Sequence, residues 1–262
     1  MNSSFKMEVC MNIIEILSKG ALKKEGLYDY SKSKYIVASI IAGFFIGLGS
    51  LTMSLSNFIF ADISFPIVKF VNGFVFSLAL SLVMVCGAEL FTGNVLFFTM
   101  GAADGKVNLS KGILICVLSY IGNFIGAVVL SVIFLGADTS SSPVVESVVK
   151  LASAKASLPF GQLFFKGILC NIMVCLGILG WNKLSNEAAK LIMVFWVILP
   201  FVSLGFEHSV ANMTCFVISK IVSSDFTYAM IIHNLIPVTL GNIVGGALVA
   251  ISYYYVEKRK SS

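Results

Sequence analysis

Gly87-Ala88-Glu89-Leu90-Phe91-Thr92-Gly93-Asn94 and, 118 residues further on, Gly205-Phe206-Glu207-His208-Ser209-Val210-Ala211-Asn212 repeat a glycine, a glutamate and an asparagine at one spacing inside otherwise apolar sequence. Each stretch interrupts a segment too long for one simple membrane crossing. Phe70–Ala103 has 34 residues, which as a single helix would run about 51 Å, well beyond a hydrocarbon core of ~30 Å. Leu191–Ser219 carries Pro200 ahead of its own interruption. Polar, glycine-bearing points in apolar helices are where membrane helices unwind to face a solute path. The second and fifth apolar segments are therefore expected to be broken helices.

Outward from these breaks, the whole chain reads as a membrane protein. Of its 262 residues 58% are hydrophobic and 12% charged, and the mean hydropathy is +0.95. So few charges cannot clothe a soluble domain of this size, which excludes a soluble enzyme and a nucleic-acid binder. The other apolar segments are Tyr35–Phe60, Gly112–Gly136, Pro159–Trp181 and Ile231–Val256, making six in all. The net charge of +5 resides in lysines at the termini and in short connections, where it sets orientation in a bilayer. With the N-terminus inside, 13 of the 18 basic residues fall on the cytoplasmic side. Both termini of a multi-pass protein are accordingly expected in the cytoplasm.

The match between the breaks is supported by a second, in which Gly122-Asn123 and Gly126 meet Gly241-Asn242 and Gly245 at an offset of 119. An offset near half the chain means two halves of three spans each. Because three is odd, the second half enters the bilayer upside down, giving an all-α membrane protein built as a 3+3 inverted repeat, aquaporin-like in architecture. The expected divisions are a cytoplasmic segment 1–34, a first repeat 35–136, an external connecting loop 137–158, a second repeat 159–256 and a cytoplasmic tail 257–262. The first segment mixes acids, lysines and apolar residues at helical spacing, as does a helix lying at the membrane interface or, alternatively, an amphipathic helix that gates a path through the bundle from the cytoplasm. Small-residue pairs Gly43/Gly47, Gly122/Gly126 and Gly241/Gly245 suit close helix packing.

Half-helices starting near Leu90 and Ser209 would present unpaired N–H groups and positive dipole ends between the repeats, an arrangement that favours an anion. Glu89 and Glu207 are placed to cap those ends, and Asn94 and Asn212 to tie the broken backbone to neighbouring helices. Thr92 either caps its half-helix or offers its hydroxyl to a permeating ion. His208, an ionisable residue inside a span, is a functional candidate by its cost of burial, whereas His233 lies at an interface. Asn171 is polar and deep in the fourth span, where it either makes an interhelical hydrogen bond or faces the solute path. Lys155 and Lys166 lie at that span's outer end, where a lysine either snorkels or attracts anions. The six cysteines form no CxxC pair and read as small buried hydrophobes. Two histidines 25 residues apart make no metal or haem spacing, so neither metal, cofactor nor enzymatic activity is expected.

At these residues the chain resembles the formate/nitrite transporter family of small-anion channels. The resemblance rests on Ala42-Gly43-Phe44-Phe45-Ile46-Gly47, the two breaks, Gly167–Asn171, and Asn234-Leu235-Ile236-Pro237-Val238-Thr239-Leu240-Gly241-Asn242. It implies a place in a bacterial inner membrane, a homopentamer with one pore per protomer, and formate, nitrite or hydrosulfide as solutes. It further implies a central pair His208 and Thr92, pore-narrowing residues Phe76, Leu80, Leu90 and Phe201, and Lys155 and Asn171 in the outer vestibule. His208 would share a proton with the solute. A pore for neutral solutes of the water or glycerol type uses the same half-helix architecture and is the alternative; a redox subunit lacks its ligand pairs.

Overall fold

The computed structural model describes residues 12–139 and 142–258, and the regular structure among them is all helical, with no strand. In chain order the helices are α1 (Ile13–Tyr30), α2 (Lys32–Ile59), α3 (Phe65–Val85), α4 (Phe91–Ala103), α5 (Leu109–Phe134), α6 (Pro143–Ala156), α7 (Phe160–Lys183), α8 (Glu187–Ser203), α9 (Ser209–Val222) and α10 (Tyr228–Lys258), with a π-helical turn, Leu135–Thr139, after α5. By length and hydropathy α2, α3, α5, α7 and α10 are each able to cross a membrane, while α4 and α9 are shorter apolar helices. The fifth apolar segment yields no such helix because its break leaves pieces of 17 and 14 residues.

Both long segments break where expected. Gly87 and Gly205 take φ of +65° and +70°, a left-handed conformation that a side chain resists, and α4 and α9 begin four residues later in each case. Pro200 does not make the second break; it sits within α8, one turn before its end.

Close backbone contact joins α2 to α5 and α7 to α10, the two most extensive pairings in the molecule. A Cβ on Gly43 would overlap the Asn123 carbonyl, and one on Gly126 the Ile40 carbonyl; Gly241 and Gly245 stand in the same way against Phe164 and Ile168. Neither side of such a contact is a flexible side chain, so the helices must part to admit a methyl group. Gly126→Ala is expected to destabilise the fold by about 1–3 kcal/mol, read as a lower unfolding temperature in detergent, whereas Gly136→Ala, in open space, should leave it unchanged.

Two segments differ from expectation. Residues 137–158, expected as a loop, contain α6, which starts with Ser142 as N-cap, Pro143 in the first turn and an early acid, Glu146, the ordinary signals of a helix start. The N-terminal segment is also more than an interfacial helix: Ile13, Leu17 and Ala21 are buried, and α1 packs on α4. It is held at its start by Ile13 N–H donating to Glu257 (2.8 Å) and towards its end by Lys111, which pairs with Glu25 (2.9 Å) and Asp29 (2.7 Å). Of the cysteines, Cys170, Cys175 and Cys215 are buried, but Cys86 is exposed at the first break. Cys10 and the last residues of the 257–262 tail lie outside the described residues.

Candidate functional site

The two breaks are built by matching ties. Asn123 of α5 accepts from Phe91 N–H (3.0 Å) through Oδ1 and donates through Nδ2 to the carbonyls of Ser39 (2.7 Å) and Glu89 (3.0 Å). Asn242 of α10 accepts from Ser209 N–H (3.0 Å) and donates to the carbonyls of Gly167 (2.8 Å) and Glu207 (3.0 Å). Glu89 N–H donates to Ala38 O, and Glu207 N–H to Lys166 O. At each break one asparagine and one neighbouring helix thus meet part of the irregular backbone, which is how such backbone survives in a membrane.

The glutamates do not cap. Glu89 pairs with Lys24 of α1 and Glu207 with Lys155 of α6, both at 2.8 Å and both shielded from solvent. A carboxylate that deep is tolerable only with a cation and further hydrogen bonds beside it, and Glu207 also accepts from Asn212 Nδ2 (2.7 Å). Asn94 and Asn212 bind side chains rather than broken backbone: Asn94 donates to the Tyr35 hydroxyl (2.7 Å), and Asn212 also to Asn234 (2.9 Å).

His208 is the N-cap of α9 and accepts from Ala211 N–H through Nδ1 (3.1 Å). A backbone N–H only donates, so the neutral ring carries its proton on Nε2. Nε2 lies 3.0 Å from Thr92 Oγ1 and donates to it. Thr92 does not cap its own helix, and its hydroxyl proton remains available to a further acceptor. Two residues from different breaks, 116 apart in sequence, thus meet between the starts of α4 and α9.

A cavity of ≈ 800 Å³ opens on the side of the molecule that carries α6, which with Lys155, Lys150 and Glu146 forms part of its wall. Its floor includes Phe76, Phe201 and His208. The rings of Phe76 and Phe201 meet edge to face with centroids 5.9 Å apart, and Phe201 lies 6.3 Å from the His208 ring. At the rim Lys150 hydrogen-bonds Glu146 and holds its carboxyl below the usual range.

A sequence model described as "Formate/nitrite transporter" matches residues 11–256. The chain belongs to the formate/nitrite transporter family. It is 40% identical to the nitrite transporter NirC of Escherichia coli over 229 residues, 85% of this chain and 83% of that one. A probable formate transporter of Methanothermobacter thermautotrophicus is 33% identical over 97% of this chain and 98% of its own. Among solved structures, an FNT family ion channel superposes with TM-score 0.87 at 35% identity, covering 93% of this chain and 98% of that one. A pentameric formate channel with formate bound superposes with TM-score 0.79 at 26% identity, covering 86% and 97%.

Of the residues that likeness to the transporter family singles out, Phe76, Phe201, Lys155 and His208 share the cavity, and Thr92 lies behind His208. Leu80 is one turn further along α3, about 6 Å deeper than Phe76, and both it and Leu90 are buried beyond the cavity lining. Asn171 is not in the vestibule. Its position on α7 faces the seam between helices, and its Nδ2 donates to the carbonyls of Asn242 (2.6 Å) and Thr92 (3.3 Å). Reading the sequence missed Asn123 and Asn242 as the residues that complete the breaks, although their matched positions were the signal, and missed Lys24, whose partner lies 65 residues away.

Proposed function

We propose that the chain is one protomer of a homopentameric channel that passes small monovalent weak-acid anions of the formate, nitrite or hydrosulfide class, each protomer having its own pore. The observation that carries this is the Thr92–His208 contact at the floor of the cavity, behind the Phe76/Phe201 aromatic pair. The paired ties at the two breaks support a 3+3 inverted repeat, with α3–α4 and α8–α9 as its broken second and fifth spans. The distribution of basic residues supports the orientation: the α1 face and both termini in the cytoplasm, and the α6 face outside.

In this reading Phe76 and Phe201 form the slit on the α6 side, and Leu80 and Leu90 the one on the α1 side. Hydrated ions are excluded at both, because stripping an isolated charge costs many kcal/mol; a weak acid crosses a slit as the neutral molecule. Between the slits a donor chain runs from His208 Nε2–H to Thr92 Oγ1 and from the Thr92 hydroxyl to the solute, each bond polarising the next. The resting neutral ring donates only a hydrogen bond. To give up a proton, His208 must first be protonated on Nδ1, which costs the bond from Ala211 N–H. Proton sharing is thereby coupled to the start of α9.

The test is flux of formate, nitrite, hydrosulfide, chloride and glycerol into liposomes holding the purified protein, beside its native mass. Expected are weak-acid anion flux well above chloride, no glycerol flux, and a particle of five 28.2 kDa chains. Glycerol flux without anion flux would establish the neutral-solute pore instead, and a monomer would remove the pentamer.

A further inference from the structure

Lys166 stands in the second turn of α7, and its carbonyl receives Glu207 N–H of the second break. Its side chain leans over that break, with Nζ 4.0 Å from where a Cβ on Gly205 would sit. Four lysines, Lys69, Lys150, Lys155 and Lys166, line the cavity together with two glutamates. Both glutamates are already taken, Glu146 by Lys150 and Glu207 by Lys155, each at 2.8 Å. Lys69 has an interaction of its own. Lys166 makes no side-chain hydrogen bond or ion pair among the described residues, although it is half-buried beside the floor of the cavity.

We propose that Lys166 is the anion-positioning residue of the α6-side mouth. Its uncompensated ammonium holds a small carboxylate or oxyanion over Gly205, ahead of the Phe76/Phe201 slit. Lys155 is less suited to holding an anion there, because its charge is closed into a pair with Glu207, and the field of a pair falls off faster with distance than that of a single charge. The opposite side has no equivalent among the described residues. There the matching backbone tie, to Glu89, comes from the uncharged Ala38, and the cation beside that break, Lys24, is closed into a pair with Glu89. Access from the α6 face therefore saturates at lower anion concentration than access from the α1 face.

This rests on anions being the solute, and the experiment separates the two claims. Initial rates of formate flux are measured in right-side-out and inside-out membrane vesicles, against formate concentration and ionic strength. Lys166→Gln is expected to raise the half-saturating concentration about five-fold for access from the α6 face, with the maximal rate and the α1-face values unchanged. Lys166→Arg should behave as wild type. In the wild type, access from the α6 face should weaken with salt more steeply than access from the α1 face, a readout that needs no variant. Equal salt dependence on the two faces, or an unchanged half-saturating concentration in an assembled Lys166→Gln, overturns the role of Lys166 and leaves the channel reading standing. Absence of wild-type formate, nitrite or hydrosulfide flux above protein-free vesicles overturns both.

Discussion

His208→Phe should lower formate or hydrosulfide flux per pentamer roughly 10²-fold, the scale on which a positioned proton-transfer group acts. Phenylalanine fills a similar volume but ends the donor chain to Thr92. It also leaves Ala211 N–H without its acceptor, a loss of about 1 kcal/mol at the start of α9. His208→Asn separates these effects. Asparagine is a good N-cap, so it should restore pentamer yield, yet it is too short to reach Thr92 and should stay slow. Flux is followed over pH ~5–8, where histidine ordinarily changes charge. Wild-type rate and pH profile in an assembled His208→Phe would make the residue structural and remove the proton relay.

The second large effect concerns Lys155 and Glu207. With Lys155 16% and Glu207 3% exposed, removing one partner strands the other in a poorly solvated place. Lys155→Ala is expected to destabilise the protein by about 3–5 kcal/mol. It should also slow anion flux, since the bare carboxylate of Glu207 would then face the vestibule. Adding Glu207→Gln should recover most of both losses, because it removes the stranded charge while the amide oxygen still accepts from Asn212. Thermal unfolding in detergent and liposome flux, taken around the double-mutant cycle, give the coupling. Strictly additive losses would mean that the two side chains do not act as a unit.

Those two sites divide what the sequence discloses from what it hides. Apolar run length, glycine position and the 118-residue offset are local or periodic signals, and they placed the starts of α4 and α9 to within a residue. His208 and Thr92 were legible as polar residues in apolar surroundings. Their mutual contact was legible only through the repeat and the family resemblance, being 116 residues distant. Ion pairing was not legible at all. Glu89 and Glu207 looked like caps because they precede helix starts, and nothing in a linear pattern says that Lys24 and Lys155, on helices outside the predicted spans, come back to meet them. The helix α6 was hidden by its low hydrophobicity, although Ser142-Pro143 announced its start. For Asn171 the depth in the span already allowed the interhelical hydrogen bonds that it makes; only the family resemblance pointed to the vestibule.

The asparagine ties also separate what each half does for itself from what it does for the other. Asn123 binds only α2 and the first break, and Asn242 only α7 and the second, so each half closes upon itself once its last long helix has been made. What joins the halves at the centre is a different set: Thr92 to His208, Asn171 to the Thr92 carbonyl, and Ser50 to the Ala211 carbonyl. A nascent chain that has released only its first half has therefore settled its own irregular backbone but holds one wall of a conduit. On the proposed channel reading, a chain that ends before α10 lacks Asn242, so the second break has no side-chain tie and the other wall of the conduit stays unsettled.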